Sequence, residues 1–324
     1  MAKPYCLCSA QDELYQVPAN FVKEIEKHFS IVWIEEFNSN SEVYSDKIVA
    51  IFSIHQQPKI TKELIDRLPK LKIVAVAAAG YNHIDVQMVR SYGVKVSNAP
   101  KVLDETVADL AVALILAAGR NLINGVKLAM SPSTTFFPKN DVAKGVFGTT
   151  LGIVGMGGIG YKVAFRAKAF NMKVLYNNRS RRSVKDEEQV GATYFSSLNE
   201  MLPLCDYVLV AVNVTPETRK IMGWKQFELM KTSATLLNVS RGVTVDQEAL
   251  VKALNCGEIH SAALDVTDPE PLPRNHPLLT MNNVIISPHC GSATEMARLA
   301  MIGKAVENAV AAVEGTPLPS EVCD

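Results

Sequence analysis

The middle of the chain carries a glycine-rich segment whose spacing suits one kind of chemistry. It has the form Gly-x-Gly-x-x-Gly, with an apolar run at residues 151–154 before it and a helix-like run at 161–170 after it. The first glycine permits a tight turn, the second lets backbone approach a pyrophosphate, and the third lets the helix pack close to the strand. N–H groups at the helix N-terminus attract anions, so the segment predicts a dinucleotide site. The predicted contacts are Gly155, Gly157, Gly158, Ile159 and Gly160.

The residues after the next strand of this unit indicate which dinucleotide binds. NAD enzymes place a carboxylate about 20 residues beyond the glycine turn to bind a ribose hydroxyl, and residues 175–178 contain none. Three arginines follow, at positions 179, 181 and 182. Arginine gives a bidentate match to a 2′-phosphate, which a carboxylate would repel. We therefore predict NADP(H), although the arginines could instead form a solvated basic loop. The predicted phosphate-end contacts are Asn178, Arg179 and Ser180.

Three later segments combine polar side chains with the ends of predicted strands. They cover residues 237–242, 264–271 and 287–292. Open α/β sheets bind their ligands at the carboxyl ends of the strands. The charged and titratable residues of these segments are therefore candidates for chemistry, above all Arg241, Glu270 and His289.

Alternating strand and helix signals must position these residues. The first part of the chain predicts helices at 20–29 and 61–68, the second capped by Thr61, between short buried strands. Those strands are predicted at 5–8, 32–34, 48–53, 73–78 and 93–97. A second unit predicts six strands, at 151–154, 173–176, 207–212, 235–239, 261–264 and 284–286. Such alternation is typical of an α/β fold with parallel sheets and helices on both faces.

Two predicted helical segments have more apolar surface than packing within one domain would bury. Residues 104–128 predict one long helix that is apolar around much of its circumference, so it must be buried on several sides, between domains or against a second subunit. Residues 131–148 predict an extended excursion. A further helix at 291–313 follows the last strand and is expected to return to the first domain.

Composition excludes several classes of protein. The 324 residues are 48% hydrophobic, and 33 basic residues balance 33 acidic ones. The sequence has no excess of positive charge that would favour binding to nucleic acid or to a membrane surface. No segment has the pattern of a signal peptide or of a membrane-spanning helix. The six cysteines lack zinc-type spacing, so we expect no metal site and reduced thiols in the cytoplasm.

Taken together, these segments resemble the signature of the D-isomer-specific 2-hydroxyacid dehydrogenases, and within that family the glyoxylate/hydroxypyruvate reductases. Residues 79–85 and 105–109 extend the resemblance over most of the chain. It implies a Rossmann dinucleotide-binding domain inserted in a discontinuous flavodoxin-like substrate domain. The substrate domain is expected at 1–99 and 290–324, and the NADP-binding domain, with a long dimerisation helix, at 100–289. The long helix and the excursion imply a two-fold homodimer, the commonest oligomer.

The implied chemistry is NADPH-dependent reduction of a small 2-oxo acid, glyoxylate or hydroxypyruvate, to the D-2-hydroxy acid. It needs a hydride, which the cofactor supplies, and a proton, which histidine donates well near neutral pH. By resemblance His289 is that acid, Glu270 orients its ring, and Arg241 grips the carboxylate and polarises the ketone. Further cofactor contacts are implied at Thr106, Val212, Thr218, Val239, Asp265 and Gly291. Further substrate contacts are implied at Ala79, Gly80, Ser292 and Phe136.

Phe136 stands where many of these reductases carry a tryptophan that projects into the partner's site. It would keep an apolar plug there but lacks the indole N–H donor. Asn82 stands near a position that is often acidic in the family, which would tune the size or charge of the substrate.

Other interpretations of the same residues remain. The substrate could be another D-2-hydroxy acid such as 3-phosphoglycerate, although the loop 77–85 offers only His83 as a basic residue. A dinucleotide-sensing protein like the corepressors of this fold could also keep the three polar residues. Structurally, His289 could be a core residue, Arg241 an ion-pair partner, Glu270 a turn residue and Asp265 a loop anchor. Cys290 is interpreted as packing, since nothing else in the sequence supports a nucleophile.

Overall fold

A computed structural model of the chain describes residues 2–9, 17–135 and 142–323, and it divides into two compact units. Unit 1 comprises Met1–Leu103 and Ala293–Asp324, and unit 2 comprises Asp104–Ser292. Each unit is built on a largely parallel sheet flanked by helices, so the α/β prediction is confirmed. The boundaries differ slightly from the predicted ones after residues 99 and 289, because residues 100–103 stay with unit 1 and residues 290–292 with unit 2.

Unit 1 has its strands in the order β2-β1-β3-β4-β5, with β13 added antiparallel to β5. This is the flavodoxin-like order. The strands are β1 (Tyr5–Cys8), β2 (Ser30–Trp33), β3 (Ile48–Ser53), β4 (Ile73–Val76), β5 (Lys95–Ser97) and β13 (Glu321–Val322). The helices are α1 (Ala19–Glu26), α2 (Ile34–Ser39), α3 (Ser41–Tyr44), α4 (Lys62–Asp66), α5 (Val86–Ser91) and α13 (Glu295–Glu314).

The core of unit 1 joins the two ends of the chain. Helix α1 buries Phe21 and Ile25 against β1 and β3, and α13 adds Ile302 and Ala309 to the same cluster. Thr61 caps α4 as predicted, because its side chain accepts a hydrogen bond from the amide of Leu64 at 3.3 Å. The late helix thus completes a core that the first residues begin.

Unit 2 has the strand order β8-β7-β6-β9-β10-β11-β12, which is the Rossmann arrangement extended by one strand. Its strands are β6 (Thr150–Val154), β7 (Lys173–Asn177), β8 (Ala192–Phe195), β9 (Tyr207–Val210), β10 (Thr235–Asn238), β11 (Ser261–Leu264) and β12 (Val284–Ile286). Its helices are α6 (Asp104–Gly119), α7 (Leu122–Met130), α8 (Gly158–Ala167), α9 (Val184–Val190), α10 (Leu198–Met201), α11 (Trp224–Leu229) and α12 (Gln247–Asn255). The six predicted strands are present, but β8 was missed because this edge strand is only partly buried and lacks an apolar run.

The single long helix predicted over 104–128 is wrong. The chain breaks between α6 and α7, where Asn121 adopts a left-handed conformation with φ of 48° and the axes bend by 64°. Gly119 ends α6 against the Tyr207 hydroxyl, where a Cβ would not fit, and its carbonyl accepts a hydrogen bond from the amide of Gly145 at 2.8 Å. Helix α6 is largely buried, whereas α7 has no buried residue.

Among the described residues, no single helix has the length and apolarity to span a bilayer. Within the part of the chain that the structure describes, one bent pair of helices, α6 and α7, has the required length and apolarity, across the 64° bend.

Candidate active site

Three neighbouring strands of unit 2 deliver the charged residues that the sequence singled out. Strands β10, β11 and β12 run parallel in register, so their carboxyl ends meet at one edge of the sheet. The segments that leave them carry Arg241, Glu270 and His289 respectively. The fold therefore gathers at one edge residues that lie up to 48 positions apart along the chain (241 to 289).

His289 and Glu270 form a hydrogen-bonded pair. Nδ1 of His289 lies 2.8 Å from Oε2 of Glu270, and the other carboxylate oxygen accepts the amide of Thr267 at 2.9 Å. Burial disfavours the charged carboxylate, but the hydrogen bonds from His289 and Thr267, with the charges of His289 and Arg241, outweigh it and lower the pKa of Glu270. A carboxylate that stays ionised here holds the imidazole in one orientation through its Nδ1 atom.

The loop that bears His289 is held by a buried carboxylate. Asp265, only 3% exposed, accepts the Ser287 hydroxyl at 2.6 Å and the amides of Cys290 and Gly291 at 2.9 and 3.0 Å. The amide of His289 donates to the Asp265 carbonyl at 2.9 Å. These bonds fix His289 at φ of 51°, a left-handed conformation that costs most residues about 1–2 kcal/mol. Asp265 therefore acts as a loop anchor.

Arg241 follows β10 in a loop that packs against the segment bearing Glu270. A Cβ at Gly242 would overlap the backbone of Thr267, so glycine permits this close approach. Burial lowers the pKa of Arg241, and the charge of Glu270 opposes that shift. Since an arginine stays protonated at neutral pH, the site presents a fixed cation beside the carboxylate–imidazole pair.

The thiol of Cys290, next to His289, is poorly suited to be a nucleophile. Its pKa is raised by burial and by the charge of Asp265, so the reactive thiolate is disfavoured. This supports the interpretation of Cys290 as a packing residue.

The glycine turn between β6 and α8 fits a dinucleotide. Gly155 has φ of 101°, and a Cβ there would lie 2.6 Å from the carbonyl oxygen of Ala211. A Cβ at Gly160 would meet the carbonyl oxygen of Gly155, whereas one at Gly157 would have none of the described atoms within 4 Å. The turn therefore has no room for side chains at Gly155 and Gly160, whereas there is space beside its second glycine, Gly157. The residue before α8 is Gly157, which has no side chain to cap the helix, and the N–H groups at a helix N-terminus attract anions.

The sequence did not predict that the Asp104 carboxylate lies against Gly158. It fills the space that a side chain at position 158 would need, so glycine is required there while Asp104 keeps this position.

The arginines after β7 differ in their surroundings. Arg181 forms a bidentate pair with Glu187 at 2.9 and 2.7 Å, and Arg182 donates to the carbonyl of Met156 at 2.8 Å and to Asp186 at 3.2 Å. Arg179 is exposed and, within the described residues, forms no side-chain hydrogen bond. The hydrogen bond from Thr215 lowers the pKa of Glu217, and the charge of Arg179 contributes to that shift. Of the three arginines, Arg179 is the one that no carboxylate holds by a hydrogen bond.

The remaining predicted residues are distributed as follows. Val212 packs against the glycine turn beside Gly155, Val239 and Thr106 are buried, and the Thr218 hydroxyl bonds the Asn213 carbonyl at 2.6 Å. Asn178 bonds the carbonyl of Ser180 at 2.8 Å within its own loop. Ala79 and Gly80 follow β4 in unit 1, Ser292 ends unit 2, and Phe136 lies outside the described residues.

Comparison with known proteins shows the family. The model of the D-isomer specific 2-hydroxyacid dehydrogenase NAD binding domain matches residues 112–291. Glyoxylate reductase of Thermococcus onnurineus is 38% identical over 315 residues, 95% of this chain and 93% of the relative. The chain belongs to the D-isomer specific 2-hydroxyacid dehydrogenases. Glyoxylate/hydroxypyruvate reductase B of an Enterobacter species is also 38% identical, over 92% of this chain and 93% of the relative.

Solved structures of 2-hydroxyacid dehydrogenases share the fold over the whole chain. The NADPH-dependent glyoxylate/hydroxypyruvate reductase of Sinorhizobium meliloti, in complex with NADP and malonate, superposes with a TM-score of 0.83 and 29% identity, covering 99% of this chain and 97% of that one. The 2-hydroxyacid dehydrogenase of Ketogulonicigenium vulgare superposes with 0.87 and 30% identity, covering 100% and 99%. In this family the nicotinamide dinucleotide binds to the domain that unit 2 represents.

Proposed function

We propose that this 2-hydroxyacid dehydrogenase is an NADPH-dependent reductase of glyoxylate and hydroxypyruvate that forms the D-2-hydroxy acid. The observation that carries the proposal is the 2.8 Å pair of His289 and Glu270 beside Arg241, on the same sheet edge as the glycine turn. The relatives named glyoxylate reductase, at 38% identity over 95% of the chain, support the choice of substrate.

His289 is the proposed proton donor. A bound nicotinamide cofactor supplies the hydride to the carbonyl carbon. The imidazolium gives its proton to the carbonyl oxygen, and Glu270 stabilises that charged ring before transfer. Arg241 binds the substrate carboxylate and draws electron density toward the ketone oxygen. In the reverse direction the neutral imidazole takes the proton back.

NADP(H) is the proposed cofactor. The absence of a carboxylate at the end of β7 and the exposed guanidinium of Arg179 favour a 2′-phosphate over a ribose hydroxyl. The open side of Gly157 and the N-terminus of α8 would accept the pyrophosphate. The other cofactor and substrate contacts implied by the family resemblance, including Asp265, Thr106 and Phe136, are part of the proposal.

We also propose a homodimer in the cytoplasm. Helix α7 exposes Leu122, Ile123, Val126 and Met130, and an apolar helix without buried residues needs a partner surface. Sedimentation of a stable monomer would contradict this part.

The function is tested by a substrate panel run with both cofactors. NADPH oxidation is measured with glyoxylate, hydroxypyruvate, 3-phosphohydroxypyruvate and a branched 2-oxo acid, and each is repeated with NADH. We expect the highest kcat/KM for glyoxylate or hydroxypyruvate with NADPH. Preference for a phosphorylated substrate would contradict the substrate assignment, and tight dinucleotide binding without turnover would instead favour a sensor.

A further inference from the structure

The hydroxyl of Tyr176 is the centre of a buried hydrogen-bond network behind the arginine loop. Tyr176 lies in β7 and is fully buried. Its hydroxyl donates to Oε1 of Glu187 at 2.6 Å and accepts from the amide of Arg182 at 3.0 Å. One side chain therefore fixes both the backbone of the loop and the acid on the following helix, α9.

Glu187 is an acid held almost entirely inside the protein, with 7% exposure. The bidentate hydrogen bond from Arg181 and the bond from Tyr176 overcome burial and lower the pKa of Glu187 to about 2. Burial and the same bond raise the pKa of Tyr176 to about 12. Glu187 is thus ionised and Tyr176 neutral throughout the physiological range, and the network keeps one arrangement.

Arg182 extends the network to the glycine turn. Its guanidinium donates to the carbonyl of Met156, the second residue of that turn, at 2.8 Å. The same group lies 4.4 Å from the ring centroid of Tyr161, which follows the turn on α8. One hydrogen bond thus links the arginine loop to the glycine turn.

The network also decides which arginine is available. The charge of Arg181 is neutralised by Glu187, and Arg182 is held by Met156 and Asp186. Arg179 lies three residues before Arg182, whose amide is fixed by Tyr176. The conformation of the segment that carries Arg179 thus depends on a hydrogen bond made at its far end.

We propose that Tyr176 is a positioning residue that confers the preference for a 2′-phosphorylated dinucleotide. It acts through the loop at Arg179, because a fully buried side chain cannot touch a ligand. The inference rests on the proposed NADPH-dependent function and adds to it a determinant that lies behind the binding surface.

The test is Tyr176→Phe, which removes one hydroxyl and changes no charge. Losing a hydrogen bond worth about 1 kcal/mol should raise KM for NADPH by about three- to tenfold, while KM for NADH stays unchanged. The Ki of adenosine 2′,5′-bisphosphate should rise by the same factor, and that of AMP should not. Tyr207→Phe is the matched control, since Tyr207 is equally buried and bonds the Gly145 carbonyl away from this loop.

The possible results separate failure of the proposed role of Tyr176 from failure of the proposed NADPH-dependent function. If the unmodified protein prefers NADH, the proposed cofactor is wrong and the inference falls with it. If the unmodified protein prefers NADPH but Tyr176→Phe keeps that ratio, or weakens both cofactors equally, only the inference is overturned. Should the variant melt at a much lower temperature, the NADPH-to-NADH ratio measured on the folded fraction still decides, because both cofactors are bound by the same molecules.

Discussion

Nδ1 of His289 lies 2.8 Å from Oε2 of Glu270. Because this bond uses Nδ1, a proton exchanged with substrate must pass through Nε2. The backbone of His289 is held in a left-handed conformation by Asp265, so the direction of the ring is set by two acids that belong to the loop after β11. The proton donor is therefore oriented by its neighbours in the sheet rather than by its own strand.

Replacement of His289 by asparagine should abolish reduction and spare binding. Asparagine tolerates a left-handed backbone and keeps an N–H donor near Glu270, but it has no counterpart of Nε2. We expect kcat to fall about 10²- to 10⁴-fold, with the Kd for NADPH unchanged by fluorescence titration. Full activity in His289→Asn would rule out His289 as the acid.

Glu270→Gln should change the pH profile as well as the rate. The pKa of Glu270 is lowered, so in the wild type its negative charge persists across the working pH range and stabilises the imidazolium. Without that charge, the pH above which the rate of 2-oxo acid reduction declines should move downward. The measurement is kcat/KM for glyoxylate against pH, and an unchanged profile would mean that Glu270 only packs.

Arg179→Ala should lower affinity for NADPH and leave affinity for NADH unchanged. A charge-assisted bond to phosphate contributes about 1.5–3 kcal/mol, so KM for NADPH should rise by about tenfold or more. Lys173→Ala is the matched control, since Lys173 is an exposed cation at the opposite end of β7. An equal effect of both substitutions would indicate that long-range electrostatic attraction, and not a direct contact with the phosphate, sets the affinity for NADPH.

Two glycines of one turn should respond differently to alanine. A methyl group at Gly160 would meet the carbonyl oxygen of Gly155, whereas one at Gly157 would lie more than 4 Å from the atoms that the structure describes. Gly160→Ala should therefore lower both Tm and dinucleotide affinity. Gly157→Ala should keep Tm but weaken NADPH and NADH alike by about tenfold or more. If Gly157→Ala bound both cofactors normally, the pyrophosphate would have to lie elsewhere.

Acid should selectively weaken the contribution of Glu187 to stability. A carboxyl group whose pKa is lower in the folded chain than in the unfolded chain stabilises the fold at pH values above its unfolded pKa. That stabilisation is lost as the pH falls through the folded pKa. The window for Glu187 therefore lies between its ordinary 4.5 and about 2. The difference in free energy of unfolding between wild type and Glu187→Gln should shrink across this window, as followed by urea denaturation. A constant difference would show that Glu187 is not ionised in the fold.

Much of this architecture could be predicted because buried parallel strands have a local sequence signature. The runs of β1, β3 and β11 are short and mostly apolar, and their positions agree with prediction. The break at Asn121 could not be predicted, since it depends on Gly119 meeting the Tyr207 hydroxyl, 88 positions later (207 minus 119). Periodicity along one segment contains no information about such a contact.

The site shows the same division. His289, Glu270 and Arg241 were found from residue type and place after a strand, and the structure brings them to one edge. Glu187 was not found from the sequence, because its helix has the composition of a solvent-exposed helix, whereas the residue itself is buried. Its burial follows from Arg181 and Tyr176, which share no local pattern with it.

The core that joins Phe21 and Ile25 to Ile302 and Ala309 also has a consequence for biosynthesis. A ribosome releases residues 1–103 long before α13 exists, and domains tend to fold as units in the order in which they emerge. Unit 1 cannot complete its core at that stage, whereas Asp104–Ser292 contains all of its own strands. The middle of the nascent chain is thus able to fold first. Residues 1–103 keep an incomplete core, which chaperones can bind, until α13 leaves the exit tunnel.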